Sequence, residues 1–117
     1  MRNLADMIFG RKRDPASLAI EEALAMIETG DFTAAIGVLR TKALAKEPEH
    51  RRARLHLGVA LMLGGELDAA EAEFLHILPA KGRWNDSESA TAQIALDRIK
   101  ALRGEKAREI QKEQIHE

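Results

Sequence analysis

The sequence predicts an all-α solenoid in which two helix–turn–helix repeats follow one another and further helices flank them. Three observations predict it. The chain matches itself at an interval of 35 residues, and a fixed period of that size marks a repeat architecture. Its apolar mass is Ala and Leu, with few β-branched residues and no Tyr, which suits helices rather than strands. Pro15, Gly30, Pro48 and Gly64-Gly65 stand where helices would start or stop. At 117 residues the chain suits one domain.

The self-match pairs Ala25 with Ala60, Gly30 with Gly65, Ala34 with Ala69, Ala35 with Ala70 and Ala45 with Ala80. Ile20/Leu55, Ala23/Gly58, Met26/Leu61, Phe32/Leu67 and Leu39/Phe74 are conservative pairs at the same interval. Repeats are therefore expected at about 14–47 and 48–80.

Before them, residues 1–13 form a basic amphipathic segment. Leu4, Met7 and Ile8 recur at i, i+3 and i+4, Phe9 follows, and Arg11-Lys12-Arg13 close the segment. It could anchor to a membrane surface, but a turn and a half of apolar contact beside Asp6 is weak, and stable anchoring takes two signals. An extra helix on the first repeat, or an arm swapped between two copies, is the favoured reading.

The first repeat opens at Asp14-Pro15, with Asp as N-cap and Pro at the first helical position. Its first helix should run to about Thr29, with Gly30 as the left-handed residue beyond it. A second helix should start near Thr33 and end around Ala45 to Lys46. In the second repeat, Pro48 between Glu47 and Glu49 reads as a helix start, and Gly64-Gly65 as its end. Asp68-Ala69-Ala70-Glu71 is a capping box, with Asp68 standing 35 residues after Thr33.

Residues 79–86 read as a loop, and Asn85-Asp86-Ser87-Glu88 as the next capping pattern. Ala92, Ala95, Ile99 and Leu102 then recur at helical spacing. No shift puts Gly, Ala and Phe in place for a third repeat, so 87–103 reads as a helix capping the last apolar face. In 104–117 only Ala107, Ile110 and Ile115 are apolar, which predicts a polar helical extension.

The residues Leu57-Gly58, Leu61, Gly65-Glu66-Leu67, Ala70 and Phe74 resemble the tetratricopeptide repeat. So do their partners Ala23, Met26, Gly30-Asp31-Phe32, Ala35 and Leu39, with Pro48 following. Ala23/Gly58 and Ala35/Ala70 hold its small positions, and Phe32/Leu67 and Leu39/Phe74 its bulky ones. Ala19 and Arg54 stand where the family usually has a large aromatic, and the first unit carries one extra residue before Pro48. Arg83-Trp84-Asn85-Asp86 is similar to a turn in the helical half of bacterial thioredoxin–tetratricopeptide co-chaperones, but the thioredoxin cysteines have no counterpart here.

The resemblance implies a protein-binding module whose first helices line a concave groove. Carried over by position, the lining is Ser17, Ile20, Leu24 and Ile27 from the first repeat, with Arg52, Leu55, His56, Val59 and Met62 from the second. Family members that grip a C-terminal carboxylate have Lys and Asn where Ile20 and Leu24 stand. An apolar groove flanked by Arg52 and Glu28 suits an apolar or amphipathic peptide instead. The rival readings are that the N-terminal segment or cap helix fills this face, that the chain is a self-associating structural protein whose N-terminal segment occupies the groove of another copy as a swapped arm, or that it is a peripheral membrane adaptor.

Other chemistry finds little support. There is no Gly-rich phosphate loop, Gly-x-Ser-x-Gly or His-Glu-x-x-His, so no catalytic residues are assigned and an enzyme is not expected. Of His50, His56, His76 and His116, none pair at i+3 or i+4, and zinc wants three or four ligands. With no Cys to supply any, no metal or cofactor is expected. A net charge of −1 with 3% aromatics argues against nucleic acid. No stretch approaches the ~20 apolar residues of a membrane span, and the expected location is the cytoplasm.

Overall fold

The computed structural model describes residues 14–78 and 86–115, with the side chains of its last helix described as far as Glu109. The expectations for residues 1–13, for the Trp84 loop and for the last two residues lie outside these. The described residues form five helices: α1 (Pro15–Glu28), α2 (Phe32–Val38), α3 (Arg51–Leu63), α4 (Leu67–Ile77) and α5 (Ser87–Ile115). A π-helical stretch, Leu39–Leu44, continues α2 without a break.

The repeat is most visible in two identical turns. After α1, Gly30 has φ +83, its N–H donates to Ile27 C=O at 3.0 Å, and Asp31 N–H donates to Met26 C=O at 2.8 Å. After α3, Gly65 has φ +88, its N–H donates to Met62 C=O at 3.1 Å, and Glu66 N–H donates to Leu61 C=O at 2.9 Å. This double bond pattern answers the carbonyls a helix end leaves open, and it needs a left-handed residue that glycine supplies without steric cost.

Helix starts depart from expectation. Asp14 caps α1 as expected, accepting from Ser17 N–H at 2.7 Å. The caps of α2 and α4 are Asp31 and Glu66, not Thr33 and Asp68. The turn is so tight that the chain is helical again one residue after it. Asp31 accepts from Ala34 N–H at 3.3 Å, whereas Glu66 makes no side-chain cap bond. Asp68, inside the first turn of α4, instead pairs with Arg103 of α5. Pro48 does not open α3 either. That helix begins at Arg51, where His50 Nδ1 accepts from Ala53 N–H at 3.2 Å, so an imidazole does the work of a cap.

The extra residue of the first unit falls within the π-helical stretch, where each turn holds more residues than an α turn. The expected cap helix and polar extension are one uninterrupted helix that passes through Gly104. Asp86 starts it, accepting from Ser89 N–H at 2.7 Å.

The helices pack in two layers, with α1, α3 and α5 in one and α2 and α4 in the other. Each second-layer helix packs on its own first helix and on the next, and α3 touches both α1 and α5. One register governs all three first-layer helices. Leu57 and Ala60 of α3 are buried, as are Ala92 and Ala95 of α5 35 residues later, and Ile99 is buried at the α5 position that corresponds to Gly64. Phe32 Cβ lies 3.6 Å from the point where Gly64 would carry a Cβ, so this side of α3 faces α2. The helix α5 therefore sits where a third repeat would place its first helix. No third Gly–Ala–Phe signature marks it, because Gly65, Ala70 and Phe74 belong to the turn and second helix of a repeat, which α5, running on through Gly104, does not form.

Within the second repeat, Gly58 permits the closest approach: a Cβ there would stand 2.7 Å from Phe74 Cε1. Phe74, Leu39, Ile20, Leu61 and Ile99 are fully buried, and form the centre of the core.

Candidate functional site

On a first-layer helix, successive side chains turn by about 100°. One side of α3 faces α4 through Gly58 and Leu61, and the next faces α2 through Ala53, Leu57 and Ala60. Leu55 and Met62 then point toward α5. The side left over faces away from the second layer and presents Arg52, His56, Val59 and Leu63. The same register places Ser17, Glu21, Leu24 and Glu28 on α1, and Ser87, Thr91, Ile94 and Arg98 on α5.

Burial follows this division. Ile20 is fully buried and Leu55 is 7% exposed, so these two expected groove residues belong to the seams between neighbouring first-layer helices. Ile27 and Met62, one helical repeat further along the same seams, are half-buried. Ala90 and Asp97, their counterparts on α5, are exposed, since no further first-layer helix follows among the described residues. The remaining expected residues do reach the outward face. Ser17, Leu24, His56 and Val59 are half-buried, and Arg52 is exposed.

Two apolar residues of this face were not expected. Ile94, 70% exposed, stands 35 residues after Val59, and Leu63, 50% exposed, 35 after Glu28. Applying the interval once more would have found Ile94, with no third Gly–Ala–Phe signature needed. Leu24, Val59 and Ile94 thus form an apolar row crossing three helices. With neighbouring axes about 8–10 Å apart, the row is roughly 16–20 Å long. Leu63 broadens it at the centre.

Polar residues border the row. Glu21 and Glu28 stand on α1, Arg52 and His56 on α3, and Arg98 on α5, so acidic charge lies at one end and basic charge at the other. Burial, and secondarily Arg52, holds the His56 imidazole below its usual range. It is therefore neutral at pH 7 and can donate or accept a hydrogen bond there.

The arrangement offers complementarity rather than reactive groups. Among the described residues, no three or more His, Asp or Glu side chains stand where they could hold a metal ion. Among these residues too, no helix is long and apolar enough to cross a membrane.

Compared with known families, the chain matches a family model described as the tetratricopeptide repeat over residues 20–88, more than half its length. No curated protein sequence and no solved structure matches it.

Proposed function

The chain belongs to the tetratricopeptide repeat family, and we propose that its outward first-layer face binds an apolar or amphipathic peptide segment of a protein partner. Repeats of this family generally mediate protein–protein interaction and are typically not enzymes. The single observation that carries the finer reading is the row Leu24–Val59–Ile94, with Ile94 70% exposed and the other two half-buried. Exposed apolar residues aligned across three helices mark an interaction surface more than scattered ones do.

A helical segment with apolar residues at i, i+3 or i+4, and i+7 fits such a row. The flanking charges set its direction. Basic residues of the partner would lie toward Glu21 and Glu28, and acidic ones toward Arg52 and Arg98. Charges at a rim fix register and on-rate more than affinity. With so short an apolar row, affinity on the order of micromolar is expected.

Selection from a displayed library of random peptides tests this. The enriched sequences should carry an apolar stripe at helical spacing. Val59→Glu and Ile94→Glu, with helicity unchanged by circular dichroism, should each weaken their binding more than tenfold. Peptides that bind both folded variants as well as wild type would move the site elsewhere.

A further inference from the structure

The helix α5 stands in the place of a third repeat's first helix, yet among the described residues no second helix covers it. On α3, the side carrying Gly58 and Leu61 is buried beneath α4. On α5 the same positions, 35 residues on, are Gln93 and Leu96, both only half-buried. Near them on α4 stands Leu75, 55% exposed, and just beyond its end Leu78, half-buried. These residues line a groove of about 530 Å³ between α4 and α5, with Asp97 and Lys100 along the α5 wall.

The groove is shallower than the seat that α4 occupies on α3. There Phe74 packs so closely on Gly58 that a Cβ would stand 2.7 Å from its ring. In the groove Gln93 takes the place of that glycine, and its amide donates to Asp97 Oδ1 at 3.0 Å, so no helix can settle as deep as α4 does. A visitor meets the exposed side chains instead. At one end Arg103 is already engaged by Glu71 at 2.8 Å. Asp97 and Lys100 are left, both exposed and on one side of α5 at i, i+3 spacing. Neither has an ion-pair partner among the described residues.

We propose that this groove is a self-association surface, on which a second copy of the chain docks about a two-fold axis. In such a contact residue i of one copy meets residue j of the other, and j meets i. Two α5 helices crossing antiparallel, with the axis between Asp97 and Lys100, set each Asp97 against Lys100 of the other copy and form two ion pairs at once. The same crossing encloses Leu75 and Leu96 of both copies. An acid and a base at equal distances from the axis make the surface complementary to itself. A strongly acidic or strongly basic partner would be repelled by one of them. This side of α5 is not the one that carries Ile94, so the contact is independent of the peptide-binding reading.

Sedimentation equilibrium of the full-length protein, from micromolar to millimolar concentration, tests this. Wild type should pass reversibly from monomer to dimer. Asp97→Lys and Lys100→Asp, with helicity unchanged by circular dichroism, should each weaken the dimer about tenfold or more, because each sets like charges together twice. Mixed in equal amounts, the two variants should associate with each other as well as wild type does with itself, since every altered charge then meets its opposite. Leu75→Glu should weaken the dimer too, whereas Val59→Glu, on the peptide-binding face, should leave it unchanged. A wild type that stays monomeric, single variants that dimerise like wild type, or a mixture no better than either variant alone would each overturn the proposal.

Discussion

Gly58 and Gly65 stand seven residues apart at the two ends of one argument about space. At Gly58 the backbone is ordinary helix, but the space is taken: a Cβ would stand 2.7 Å from Phe74 Cε1, and Phe74 is fully buried. At Gly65 the space is open, with nothing within 4 Å, but φ is +88. Gly58→Ala should therefore act by overpacking, at a cost of about 1–3 kcal/mol. Gly65→Val should act through backbone strain, at more than ~1 kcal/mol. Thermal melts of the two variants check both, and an unchanged melting temperature for Gly65→Val would remove the left-handed turn from the account of the fold. Gly65 was legible from the sequence because it follows an apolar run and repeats Gly30. The seam positions were harder. Ile20 and Leu24 lie on the same apolar helix, and only the packing of α3 beside α1 decides that Ile20 is core and Leu24 surface.

At the scale of elements, the sequence announced the helix ends better than the starts. A positive φ is tied to glycine, whereas several residue types can cap a start. Asp31 and Thr33 were both eligible, as were Glu66 and Asp68, and His50 is an unusual cap that no composition rule would choose over Pro48. The start of α5 is the best-tied of all. Arg51, the first residue of α3, donates to Asp86 Oδ2 at 3.0 Å, to Ile77 C=O at 2.9 Å and to Ser89 Oγ at 2.8 Å. It thus joins α3, the end of α4 and the start of α5. The hydrogen bond from Arg51, and then the Ser89 N–H, draws the Asp86 carboxyl down from 3.8 to about 2. A carboxyl whose folded pKa is depressed adds stability that is complete above its unfolded value and is lost as pH falls through the folded one. Asp86→Asn should therefore be less stable than wild type at neutral pH, with the gap closing between about pH 4 and pH 2. Urea midpoints at pH 7, 4 and 2 measure it. A gap that persists at pH 2 would mean the carboxylate charge is not what holds α5.

Across the whole molecule, α5 decides how the array behaves. Two repeats alone leave an apolar side open at the end of α4, and repeat stacks become stable only when each unit's open side is covered by a neighbour. By placing Ala92, Ala95 and Ile99 in the register of Leu57, Ala60 and Gly64, α5 covers that side without any helix of its own repeat following among the described residues. In the same step it carries Ile94 onto the outward row. Stability and the candidate binding face therefore meet in one helix. Because each helix touches only near neighbours, a lesion in α5 should be felt unevenly. Ile99 is fully buried, and Ile99→Asp would put an unpaired carboxylate into that seam, a strongly destabilising change. In hydrogen exchange, the amides of α5 and α4 should lose protection first and most, while α1 and α2 keep most of theirs. Peptide binding should fall with Ile99→Asp as it does with Ile94→Glu, but only the former should change exchange in α4. Equal loss of protection in all helices would show one cooperative unit instead, in which α5 is a part of the core and not a detachable cover.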